Sequence, residues 1–185
     1  MPATPARGDA VALTRTLVAI DSRNPSLAGD GPGERACADA LAAVLDQWGF
    51  AVEMQETAAA RPNVVARIGR GGGRTLLFNG HLDTVGTEGM VHAPWDAAVR
   101  NGRVYGRGAT DMKGGVAAMC AAALRAVDAG LLGEVIVAAV ADEEYESIGT
   151  RALIASGVRA DAAIVTEPTR LAICPAHRGF AWLEL

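Results

Sequence analysis

Segments with strand and helix patterns alternate along this chain, and the strands are apolar, so the sequence predicts an α/β sandwich on a largely parallel sheet. Two observations carry that expectation. Glu134–Ala141 is an unbroken apolar run of strand length, the pattern of a central strand covered on both faces. His81, Glu143, Glu144 and Glu167 each fall just past the C-terminal end of a predicted strand, the edge where open α/β sheets bind ligands.

The elements follow in order. Asp9–Ile20 places Val11, Leu13, Leu17, Val18 and Ile20 at helical spacing. Asp21–Pro32, rich in Ser, Asn, Pro, Gly and Asp, is a loop. Glu34–Trp48 is a second helix, stopped by Gly49 where a left-handed residue ends helices. Phe50–Gln55, Asn63–Ile68 and Thr75–Asn79 read as strands, the last running into Gly80-His81-Leu82-Asp83. Asn101-Gly102 predicts a hairpin between Ala97–Val99 and Val104-Tyr105, because both turn positions need positive φ. Val116–Ala129 is an alanine-rich helix closed by Gly130, and Thr150–Ala155 a short one stopped by Gly157. Ala162–Thr166 is expected to be a buried strand ending in Glu167-Pro168, and Leu171–Cys174 and Phe180–Leu185 further strands.

With 185 residues, half of them hydrophobic, the chain can bury one sizeable core. A net charge of −4 and 4% aromatics argue against a nucleic-acid surface or an anionic membrane, which call for basic patches or stacking platforms. Sixteen of the seventeen basic residues are arginine, leaving Lys113 as the only lysine. Cys37, Cys120 and Cys174 are far apart, with no CxxC pair, and are expected to be buried thiols in a reducing compartment. No basic stretch leads into an apolar run at the N-terminus, and no apolar stretch is long enough to span a membrane, so a cytoplasmic location is expected.

The chemistry gathers around Tyr105–Gly115, YGRGATDMKGG, where Asp111 sits in a glycine-lined loop before a helix. Several carboxylates at one sheet edge repel one another unless a cation compensates. Imidazole nitrogen and carboxylate oxygen suit zinc, manganese or cobalt. Singly, each residue has an ordinary alternative: Asp111 as a helix cap, Glu143-Glu144 as a solvated loop, His81 as a satisfied histidine, Glu167 as a strand end. Their order and their common edge favour a metal site. Gly106-Arg107-Gly108 nearly matches a dinucleotide loop, but Asp111 stands where a carboxylate would repel the pyrophosphate. His92 lies in a loop, on the surface or near the substrate.

The combination NGHLDTV at 79–85, GRGATDMKGG at 106–115, DEE at 142–144 and TEPT at 166–169 resembles the acetylornithine deacetylase / succinyl-diaminopimelate desuccinylase family of cocatalytic zinc hydrolases, relatives of aminoacylases and glutamate carboxypeptidases. The resemblance implies a three-layer zinc-exopeptidase-like sandwich with a mostly parallel mixed sheet. It implies two divalent ions, zinc first, with cobalt or manganese as alternatives. His81 and Glu167 would bind one ion, Glu144 the other, and Asp111 both, through a loop with a cis peptide at Asp111-Met112. Asp83 would orient His81. Glu143 would act as general base, taking a proton from water and returning it to the leaving nitrogen. Both glutamates can reach the site only if they lie beyond the regular strand, whose adjacent residues face opposite ways. The implied substrate is an N-acyl amino acid or a short peptide, and the implied assembly a homodimer.

The same resemblance implies a final histidine for the second ion, from a segment later than His177, and a lid domain that gives the dimer surface. Residues 1–174 are accordingly expected to be the N-terminal part of the catalytic domain, and 175–185 the linker and first strand of the lid. The expected chain is thus an N-terminal portion whose second site lacks its histidine. Its function is expected to be amide hydrolysis on an N-acyl amino acid, with a dipeptidase or carboxypeptidase activity, or an inactive fragment binding at most one ion firmly, as alternatives.

Overall fold

The computed structural model describes residues 4–58 and 61–176; His177 and the expected strand Phe180–Leu185 lie outside the described residues. The elements are α1 (Ala10–Val18), α2 (Arg35–Gln47), β1 (Ala51–Ala58), β2 (Arg61–Gly69), β3 (Thr75–His81), β4 (Ala98–Arg100), β5 (Arg103–Tyr105), α3 (Gly114–Asp128), β6 (Glu134–Val140), α4 (Ile148–Ala155) and β7 (Ala162–Val165). Among them no helix is long and apolar enough to cross a membrane.

Five strands form one sheet in the order β1-β2-β6-β3-β7. β3 pairs in parallel with both β6 and β7. β2 runs antiparallel to β6, and β1 antiparallel to β2, so β2 alone is reversed. The sheet is therefore mixed, yet mostly parallel in strand direction. β6 takes the central place its apolar run predicts, with Val135 to Val140 buried. Each such Val or Ile side chain contributes about 1.5–3 kcal/mol of burial.

Alternation along β6 feeds two cores. Val135, Val137 and Ala139 face a large cluster built from Leu13 and Leu17 of α1, Leu41 and Leu45 of α2, and Val116, Cys120 and Leu124 of α3. Ile136, Ala138 and Val140 face a smaller cluster with Val65 and Leu153 of α4. This makes three layers: helices, sheet, helix. α2 buries Cys37, Ala38, Leu41, Val44 and Leu45, the stripe a 3.6-residue period lays on one face.

Three expectations fail here. All four residues of β7 are exposed, with Ile164 47% and Val165 56% accessible. The strand ends the sheet, and neither core cluster contains its side chains. Leu171–Cys174 forms no strand, and its Leu171 and Ile173 side chains are exposed. Cys37 and Cys120 are buried as expected, but Cys174 is exposed.

Two packing devices draw the functional loops together. Gly80 lets β3 lie against the start of α3: a Cβ there would stand 2.9 Å from Met112 Cε and 3.2 Å from Val116 Cγ2. Lys113 is fully buried, and its Nζ donates to the carbonyls of Leu17 (3.0 Å) and Ile20 (2.8 Å). It thereby ties the Asp111 loop to the C-terminal end of α1, where a cation is favoured. The Asn101-Gly102 turn has φ of 51° and 74°, as the hairpin pattern requires.

Candidate metal centre

Because β3, β6 and β7 are parallel neighbours, their C-terminal ends open on one edge. His81 closes β3, Glu143 and Glu144 follow β6, and Glu167 follows β7. Asp111 comes from the irregular turn Ala109–Lys113, in which it is extended (φ −121°, ψ 98°), and Asp111-Met112 is a cis peptide. All the residues singled out from the sequence as candidate ligands meet here.

His81 is the centre of the group and is almost fully buried. Its Nε2 lies 3.1 Å from Asp111 Oδ1, 3.7 Å from Glu143 Oε2 and 3.7 Å from Glu167 Oε1. On the other side, Nδ1 lies 2.9 Å from the backbone carbonyl of Asp83 and 3.5 Å from its carboxylate. The carbonyl, which can only accept, places the proton on Nδ1 and turns Nε2 toward the acids. Asp83 thus touches His81, and its backbone makes the shorter contact.

Glu143 and Glu144 lie past the end of β6, after Asp142, whose φ is 63°. That left-handed residue breaks the strand alternation, so adjacent glutamates can serve one site. The backbone N–H of Glu143 donates to Asp83 Oδ1 (3.0 Å) and that of Glu144 to Asp83 Oδ2 (3.1 Å). His81, Asp111 and Glu144 each offer a donor atom, all within 4.8 Å of one another; so do His81, Glu143 and Glu167. The atoms are imidazole nitrogen and carboxylate oxygen, the donors that zinc, manganese and cobalt accept. By spacing and chemistry the residues fit divalent ions.

The electrostatics point the same way. Burial opposes the charged form of His81, yet hydrogen bonds to Asp111 and Asp83, with the charges of Asp83 and Glu143, push it up to about 11. Glu144 is pushed up to about 7, first by burial and then by Asp111, Asp83 and Glu143, against the pull of His81. Asp83 is held below the usual carboxylate range: its burial is outweighed by His81, Asn24 and the Glu143 amide.

Sequence reasoning missed the residues behind this edge. Arg61, at the start of β2, donates from Nε (2.9 Å) and Nη2 (2.6 Å) to Glu34 and from Nη1 (2.8 Å) to Asp142. Asn24 donates to Asp83 (2.8 Å) and Asp142 (2.9 Å). All five are buried. Asp83 and Asp142 stood in motifs, HLD and DEE; Asn24, Glu34 and Arg61 are single polar residues in unpatterned stretches. His92, the other loop histidine, packs edge-on against Tyr105 (centroids 5.3 Å apart). It lines a groove of about 560 Å³ with Arg103, Gly106 and Thr110.

Comparison with known proteins agrees with this picture. Residues 77–176 match the family model "Peptidase family M20/M25/M40". A succinyl-diaminopimelate desuccinylase of Gluconacetobacter diazotrophicus is 39% identical over 188 residues, covering 95% of this chain and 46% of that protein. An acetylornithine deacetylase of Proteus mirabilis is 36% identical, covering 91% and 45%. The chain therefore spans about half the length of the curated relatives it matches. Among solved structures, an M20 family metallo-carboxypeptidase, Sso-CP2 of Sulfolobus solfataricus, superposes with a TM-score of 0.75 at 24% identity, covering 85% of this chain and 37% of that one. Human carnosine dipeptidase 1 gives 0.67 at 21%, covering 86% and 38%. At such identities these two speak to the fold, an α/β catalytic domain with a five-stranded mixed sheet. The family match spans more than half of the chain and contains His81, Asp111, Glu143, Glu144 and Glu167, and on that ground the chain belongs to peptidase family M20/M25/M40.

Proposed function

We propose that this chain carries the metal-binding and proton-transfer groups of a hydrolase that cleaves the amide bond of an N-acyl amino acid, of the desuccinylase or deacetylase kind. The supporting observation is the convergence of His81 Nε2 with Asp111, Glu143 and Glu167 at 3.1–3.7 Å on one sheet edge. The 39% identity to a desuccinylase supports the substrate class.

In this reading His81, Asp111, Glu144 and Glu167 hold two divalent ions, zinc first. Such ions supply Lewis acidity, polarising the amide carbonyl and making water at the site more acidic. His81 presents Nε2 because Asp83 holds the Nδ1 proton. Glu143 takes a proton from the attacking water and delivers it to the departing nitrogen; the C–N bond breaks, leaving a carboxylate and an amine. The half-exposed Glu143 side chain is open to water and substrate.

The test is turnover of N-succinyl-diaminopimelate and N-acetylornithine by the 185-residue chain with added Zn2+ or Co2+, alongside Glu143→Ala. Metal-dependent turnover that falls at least about 100-fold in Glu143→Ala is expected. Turnover unaffected by that substitution removes the general-base role. Failure to bind either ion by calorimetry ends the proposal.

A further inference from the structure

The turn that carries Glu143 and Glu144 is held by Asp83, whose part above is toward His81, and by Glu34 and Asp142, to which the chemistry above gives no part. Along it, the N–H of Asp142 donates to Glu34 Oε1 (3.1 Å), those of Glu143 and Glu144 to Asp83, and that of Glu146 to Asp142 Oδ2 (3.1 Å). The carboxylates that receive these amides are themselves connected by two donors, Asn24 and Arg61.

Asn24 is fully buried in the loop after α1. Its amide has two N–H donors. One goes to Asp83 Oδ2 at 2.8 Å and the other to Asp142 Oδ1 at 2.9 Å. Its Oδ1 accepts from the N–H of Ser26 (3.0 Å), which fixes which end of the amide is which. Its own backbone N–H donates to the carbonyl of Thr84 (2.8 Å), so the residue is held beside Asp83 independently of its side chain. An aspartate here would set acceptors against two carboxylates, so the site suits asparagine.

We propose that Asn24 is a positioning residue for the metal centre. It ties Asp83, which contacts His81 and holds the amides of Glu143 and Glu144, to Asp142, which starts the turn. The imidazole side and the acid side of the site are thereby set at a fixed spacing. Arg61 braces the same Asp142 oxygen from the far side, at 2.8 Å. The functional half of this proposal rests on the metal-hydrolase reading; the structural half does not.

Residue-resolved amide hydrogen exchange, in the absence of metal, separates the two halves. In the unmodified chain the Glu143 and Glu144 amides are expected to exchange as slowly as those of β6. Exchange as fast as exposed loop amides overturns the proposal with no variant needed. In Asn24→Ala the two amides are expected to exchange about tenfold faster, the scale of one lost buried hydrogen bond, while β6 is unchanged. Titration with Co2+ alone is then expected to show binding weakened about 10- to 100-fold, as for other supports behind metal ligands, with an altered visible spectrum. Unchanged exchange at 143 and 144, or unchanged Co2+ affinity and spectrum, overturns the proposal. Should Asn24→Ala fail to fold, Arg61→Lys is read by the same criteria, since one ammonium cannot serve both Glu34 and Asp142 as the guanidinium fork does. Failure of the unmodified chain to bind Co2+ counts against the metal-hydrolase reading, and exchange still decides whether Asn24 holds the turn.

Discussion

Glu34, Asp83 and Asp142 are buried, and each accepts hydrogen bonds from Arg61, Asn24 or backbone amides. On the other side of His81, the side chains of Asp111, Glu143 and Glu167 stay 54%, 44% and 35% exposed and crowd one imidazole nitrogen. The first group is completed within the chain: a guanidinium, an amide and peptide N–H groups meet its charge. The second leaves solvent-facing oxygens that a dissolved cation can reach. The contrast teaches that clustered acids do not by themselves mark a binding site. What sets the second group apart is acids whose oxygens converge on one imidazole nitrogen and stay open to solvent, while their neighbours are buried and matched.

The largest expected effect breaks the matched group. Arg61→Ala leaves Glu34 and Asp142 buried without their cation and is expected to cost about 3–5 kcal/mol, read as a lowered urea midpoint. An unmoved midpoint would show that the network holds nothing. Next, saturating Zn2+ is expected to raise the stability of the unmodified chain by about 2.7 kcal/mol at 100 times the dissociation constant, and a chelator to reverse it. Were denaturation curves identical with zinc and with chelator, the two groups of acids would be alike after all.

A smaller effect concerns pH in the chelated chain. Glu144 is raised from 4.5 to about 7 and His81 from 6.5 to about 11. The folded chain therefore holds protons that the unfolded chain has released, and stability falls as pH rises through these intervals. Asp83 is shifted the other way, so its contribution is present above its unfolded value and lost as pH falls further. The urea midpoint is expected to decline from about pH 5 to 8. Glu144→Gln should flatten the part below about pH 7; an unchanged slope would refute the burial argument for Glu144. Smallest of all, Arg7→Ala removes the solvent-exposed pair with Asp128 and is expected to leave the midpoint unmoved.

The edge where His81 meets the acids was legible in the sequence because short motifs there follow apolar strands, and strand ends are what periodicity shows. β6 was legible as central because it is apolar without interruption. β7 is apolar too but was misread as buried, since an apolar run does not reveal whether a neighbour covers it. Leu171–Cys174 was misread as a strand for the same reason. Asn24, Glu34 and Arg61 carried no signal at all. Each is one polar residue, and the partners that give it meaning are up to 118 positions away, as Asn24 is from Asp142.

Lys113 has a practical consequence. It is the sole lysine, and its amine is sealed between the Asp111 loop and two carbonyls at the end of α1. Acylating reagents therefore find no exposed lysine on the native chain, and modification at this position needs that joint to part. The chain thus contains its own single-site clock for local opening, readable by mass spectrometry from one peptide.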